Sequence, residues 1–209
     1  MADDFHRPVL FSGRELESYA GSEDPAERAR AARETARALV ARVRDRPDAA
    51  VLERLVHFTD EHGIDALAEL WARSAAHSLP GALWRIYLIR LMIVSDGEGV
   101  ALLFARGTAR LDTIDPVVAG APSPASPDEV LEVADEILRG VFAGDFALAL
   151  DRAAAFCRVC AAGAADLADD HDVAEQHRAA ELTTRALRLT SFAEDLTASA
   201  RLARADSLD

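Results

Sequence analysis

The chain has 209 residues, 50% of them apolar and 28% charged, with a formal net charge of −13 at neutral pH. That length suits one domain, the apolar content excludes a disordered chain, and an acidic surface repels phosphate backbones, so general nucleic-acid binding is not expected. All 23 basic residues are arginine, alanine is the most frequent residue, and lysine and asparagine do not occur; an alanine-rich chain with few glycines and prolines favours helix.

Residues 1 to 22 read as an arm, in which Phe5, Val9, Leu10 and Phe11 suit docking on the body. Its start is acidic and lacks an apolar core of signal length, so a cytoplasmic protein is expected. "SEDPAERA" is a helix start, with Asp24 as cap, Pro25 in the first turn and Glu27 completing a capping box. The first long helix is predicted to run to about Asp45 along the line Ala29, Ala32, Ala36, Leu39, Val43. A second helix is predicted from Pro47 to Gly63, with Val51, Leu55, Phe58 and His62 on one face. A third follows, capped by Asp65, with Leu67, Ala68, Trp71 and Ala75 inward.

Ser78 and Pro80 open the most apolar run, "SLPGALWRIYLIRLMIV". It is too short to cross a membrane and carries Arg85 and Arg90 inside it. Apolar on every side, it is expected to be the central helix of a bundle. A fifth helix covers "EGVALLFARGTARL". Residues 112 to 127, with four prolines and no helical period, are expected to be a loop. Ser126 and Glu129 then form a second capping box, before the line Val130, Ala134, Ile137, Val141. A further helix begins near Gly144 or Asp145 on the line Phe146, Leu150, Ala153, Cys157, Cys160. The last covers about 173 to 203, with Leu182, Ala186, Leu189, Ala193, Leu196 and Ala200 inward. No short alternating run or hairpin signal marks a strand. The fold class expected is all-α: seven or eight helices, in sub-bundles 23–111 and 126–204 joined by the loop 112–125, around one core.

The buried arginines need partners, because an unpaired buried charge costs several kcal/mol. One can snorkel along its stem to solvent, and for the other Asp65, Glu69, Asp96 and Glu98 are the candidates on adjoining helices. The functional alternative is an anion pocket built from Arg85 or Arg90 with Trp71, Arg73, Trp84 and Tyr87. The pair Cys157 and Cys160 falls on a buried helical stripe rather than at a helix start, so it reads as core packing, not a redox or zinc pair. The cluster Asp166, Asp169, Asp170, His171, Asp172 lacks the glycine and spaced glutamate of a calcium loop and reads as a turn between helices. His57 and Glu61 are one turn apart, but no histidine follows a glutamate at the spacing of di-iron bundles. No metal ligand set, cofactor motif or catalytic motif is expected.

Three stretches, "GRELESYAGSEDPAERARAARETARALVARVRD", "DEHGIDALAELWARSAAHSLPGALWRIYLIRLMI" and "LRGVFAGDFALALDRAAAFCRV", resemble a family of short all-helical actinobacterial proteins over most of the chain. Some members of that family are labelled RNA polymerase β subunit. The resemblance implies the fold and the source. The label implies association with the transcription machinery, although the β subunit itself is very large and rich in strands. The leading expectation is a non-catalytic cytoplasmic interaction or regulatory protein that forms a homodimer. The alternative is a binder of small anionic metabolites, or an enzyme acting on them, with a pocket beside the helix at 80–95.

Overall fold

The computed structural model describes residues 25–45, 71–120, 126–171 and 175–209. The predicted arm, the Asp24 cap, the helix at 47–63 and most of the one that follows lie outside the described residues. Among the described residues there are seven helices and no strand: α1 (Pro25–Asp45), α2 (Leu79–Ser95), α3 (Gly97–Arg110), α4 (Asp115–Ala119), α5 (Pro127–Ala143), α6 (Phe146–His171) and α7 (Gln176–Arg204). The protein is an all-α bundle.

Short side chains set where the helices start. The Ser126 hydroxyl accepts from the Glu129 amide at 3.3 Å, and the Glu129 carboxylate accepts from the Ser126 amide at 2.7 Å. This reciprocal box satisfies two amides that the first turn of α5 leaves without helical partners. Ser78 caps α2 by accepting from Gly81, and Pro80 lies in the first turn, where a missing amide costs nothing. Asp96 serves two helices. Its amide closes the end of α2 on the Met92 carbonyl, and its carboxylate accepts from Gly99 at the start of α3.

The core centres on α6. Ala149, Leu150, Ala153, Ala154, Ala155, Phe156, Cys157, Val159, Cys160 and Ala164 are all buried. The helix packs against α3, α4, α5 and α7, most extensively against α7. Small residues allow this. A methyl group added at Gly107 of α3 would lie 1.8 Å from the Val159 carbonyl oxygen, and one at Gly163 would lie 1.8 Å from that of Leu103. The two backbones therefore touch at the crossing. Next to it Phe104 and Phe156 stack with ring centroids 5.5 Å apart, a geometry worth about 1 kcal/mol beyond the burial itself.

The apolar helix α2 is not the centre. Leu91 is 45% exposed and Val94 54%, and Trp84, Tyr87, Leu88 and Met92 are half-buried. The reason is size. Branched and aromatic side chains hold neighbouring axes apart, whereas the alanine and glycine of α6 admit helices from several sides. The stretch 112–127 also departs from expectation, because α4 forms within it. Pro116 sits in the first turn of α4, and Gly120 ends it at φ 83°, a left-handed conformation suited to glycine. The helices before and after this connection share the core: α3 lies on α6, α2 on α5 and α7, and α1 on α5. No described helix is long and apolar enough to cross a membrane.

Candidate functional site

Arg85 projects from the first turns of α2 onto α7. Its Nε and one terminal nitrogen donate to a single oxygen of Asp195, at 2.9 and 2.6 Å, and its other terminal nitrogen donates to the Gly81 carbonyl at 3.0 Å. The guanidinium lies 5.7 Å from the Phe192 ring centroid. His77 approaches the second Asp195 oxygen at 3.1 Å. The two charged side chains keep only 15% and 18% of their surface exposed, so the pair is largely desolvated and its hydrogen bonds are correspondingly strong.

Arg90, on another face of α2, stands 3.6 Å from Asp135 of α5. Both arginines thus find partners in the C-terminal half of the chain. Asp96 and Glu98, which precede and begin α3, are not those partners; Asp65 and Glu69 lie outside the described residues. Asp96 instead receives Arg185 of α7 at 3.3 Å.

The six residues singled out in the sequence spread over different surroundings. Trp71 is buried and donates from its indole nitrogen to Thr35 of α1 at 3.3 Å. Trp84 and Tyr87 stack on each other, with centroids 5.5 Å apart. Arg85 and Arg90 face Asp195 and Asp135. Arg73 borders a cleft of about 300 Å³ between α1 and the turn that leads into α2.

That cleft is lined by Pro25, Arg28 and Arg33 of α1 and by Arg73, Ser74 and Ser78 from the turn. The sequence signal for it was hidden, because Arg28 and Arg33 lie in "ERARAARE", which reads as a solvated face. A larger open groove of about 710 Å³ runs between α2 and the first half of α7. Leu88, Met92, Leu189 and Phe192 form its apolar lining, and Glu181, Arg185 and Arg188 its charged edge. The chain compared with family models, curated proteins and solved structures matches none.

The thiols of Cys157 and Cys160 are fully buried in α6. Burial pushes the Cys157 thiol up to about 12, against a smaller opposing pull from Arg158, and pushes Cys160 well above the ordinary range. Neither forms thiolate near neutral pH, so neither has the reactivity of a redox cysteine. Over its described part the acidic cluster is helix and not a turn, while Asp172 lies outside the described residues. The helix α6 continues through Asp166, Asp169 and Asp170 to His171. Arg106 bridges Asp166 and Asp170 at 3.1 and 2.9 Å, and Arg110 meets Asp166 at 2.8 Å. These carboxylates hold α3 onto α6. Among the described residues no group of histidine, cysteine and carboxylates is placed to hold a metal ion.

Asp115 of α4 accepts two bonds from Arg158 of α6, at 2.9 and 2.6 Å, and Arg158 reaches on to Thr197 of α7 at 3.2 Å. The Arg158 hydrogen bond, aided by Thr113, holds the Asp115 carboxyl below its usual range in spite of partial burial. One arginine therefore ties three helices together.

Proposed function

We propose that the protein is a non-catalytic cytoplasmic interaction protein that pairs with a second copy of itself across the groove between α2 and α7. The observation that carries this reading is the makeup of the groove. Leu88, Met92 and Phe192 offer an apolar floor, Leu187 nearby on α7 is 67% exposed, and the charges at the edge are of both signs.

The charge pattern is self-complementary. Glu181 and Arg188 are seven residues apart, two turns along one face of α7. An antiparallel copy, related by a two-fold axis between Thr184 and Arg185, sets Glu181 against Arg188 of the partner subunit, and the same pair recurs on the other side of the axis. That is the isologous pattern of a two-fold dimer. The non-catalytic part of the reading is supported by how the reactive groups are used: the thiols are in the core, and Asp151, Asp166 and Asp170 of α6 hold arginines.

Analytical ultracentrifugation tests it. Wild type should sediment as a dimer, Glu181→Arg as a monomer, and Glu181→Arg with Arg188→Glu as a dimer again. A wild type that stays monomeric at its highest soluble concentration removes the proposal. So does a dimer indifferent to both charge reversals.

A further inference from the structure

The first amides of a helix have no acceptor within it. At the start of α2 the Gly81 amide donates to the Ser78 hydroxyl, Ala82 donates to the Ser78 carbonyl, and Pro80 has no amide. The Leu79 amide is satisfied from elsewhere: it donates to the main-chain carbonyl of Asp209 at 2.8 Å. The chain reaches that point through a tight reversal after α7. The Ser207 amide donates to the Leu202 carbonyl at 2.9 Å and the Asp206 amide to that of Ala203 at 3.1 Å, with Asp206 at φ 53°. This is a Schellman turn, whose left-handed position is usually held by glycine. The reversal sends Leu208 back against the core and brings the Asp209 carboxylate to Arg37 of α1. Residues 205–209 therefore run from the end of α7 to α1 and to the start of α2.

Each hold on this segment is weak by itself. The side chains of Arg37 and Asp209 keep 58% and 80% of their surface exposed, and a pair so exposed is screened by water and salt. Leu208 is only half-buried. Asp206 bears a steric penalty in the left-handed region that glycine would not. We propose that residues 205–209 form a latch that opens and closes while the bundle stays folded. Closed, the latch ties α7 to α1 and α2. Open, it frees the Leu79 amide, the Arg37 guanidinium and the apolar seat of Leu208 together. Segments with few buried contacts are the ones that open locally at low free energy. The latch lies beyond the opposite end of α7 from the groove residues 177–192, and neither proposal depends on the other.

Hydrogen exchange of the full chain, read amide by amide by NMR at constant pH, tests the latch. Without an acceptor Leu79 would exchange as in an unfolded chain. Instead it should be protected, yet far less than the amides of α6. Asp206→Gly should raise its protection several-fold by favouring the reversal, and Asp206→Val should lower it. Both replace an exposed side chain that takes no part in the contacts to Leu79 or Arg37. Arg37→Gln, or molar sodium chloride, should lower the protection of Leu79 by about two- to fivefold, the range for an exposed ion pair, and leave α6 unchanged. Wild-type Leu79 exchanging as freely as an unfolded amide overturns the closed state. Protection equal to that of α6 overturns the opening. Protection that none of the three substitutions moves overturns the latch as well.

Discussion

Arg85 and Asp195 are 110 residues apart in the chain and 2.6 Å apart in the fold. They join the start of α2 to the second half of α7, and His77 leans on the same carboxylate. Removing the arginine leaves a largely buried aspartate with only an exposed histidine beside it. Arg85→Ala should therefore cost roughly 3 kcal/mol, at the low end for breaking a buried pair. Asp195→Asn should cost less, since the amide still accepts a hydrogen bond. In urea unfolding of the two single variants and the double, the coupling should come out at about 1–3 kcal/mol. A coupling near zero would show that the pair contributes nothing beyond its packing.

The contact between α3 and α6 has no room for a side chain. Alanine at Gly163 or Gly107 improves helix propensity by about 1 kcal/mol, but its methyl would meet a backbone carbonyl at 1.8 Å. Backbone cannot swing aside as a side chain does. Overpacking should win, with a net loss of about 1–3 kcal/mol for either substitution. Circular dichroism melting should show lower midpoints for both, and a raised midpoint would mean that the two helices separate freely.

The two thiols should be inert in the folded protein. Native protein at pH 8 should react with Ellman's reagent only at the rate of unfolding, and both thiols should react at once in guanidinium chloride. Rapid labelling without denaturant would contradict their burial and the raised Cys157 value of about 12.

Acid should loosen α4. The Asp115 carboxyl is held below its ordinary 3.8 by Arg158, so its folded value is lower than its unfolded one. The stability it contributes is complete above the unfolded value and is lost as pH falls through the folded value. Asp115→Asn should lower stability at neutral pH and flatten the decline below about pH 4. Parallel acid curves for wild type and variant would show that the pair does not titrate with folding.

Local signals in the sequence were sufficient for most of the helices. The box formed by Ser126 and Glu129 marks the start of α5, and Val130, Ala134, Ile137 and Val141 are all buried as their spacing predicts. Leu182, Leu189, Ala193, Leu196 and Ala200 likewise line the inner face of α7. Helix α4 escaped because five residues around a proline carry no period, and its anchor, Arg158, is 43 residues away. The true centre escaped because apolar content suggests α2, whereas closeness of approach depends on the small residues of α6. The Arg85 partner escaped for a similar reason: Asp195 is 110 residues away in sequence, whereas the nearer carboxylates Asp96 and Glu98 do not face that arginine. Of the arginines that border the cleft beside α1, Arg73 was singled out in the sequence and Arg28 and Arg33 were not, because only the packing of α1 beside the turn at 73–78 brings them together.

The long span between Arg85 and Asp195 also bears on the order in which the chain assembles. Helices α6 and α7 are neighbours in sequence and share the largest contact among the described helices, so their hairpin closes a short loop at small entropic cost. Helix α2 must wait, because part of the surface it rests on, Asp195 and Phe192 included, leaves the ribosome more than a hundred residues later. The C-terminal hairpin is thus expected to nucleate folding, with the apolar α2 held exposed until it is made. Pulsed hydrogen exchange during refolding would show protection in α6 and α7 before α2, and simultaneous protection would rule that sequence out. A chain built this way is most prone to aggregate while it is still being synthesised, and the segment at risk is 79–95.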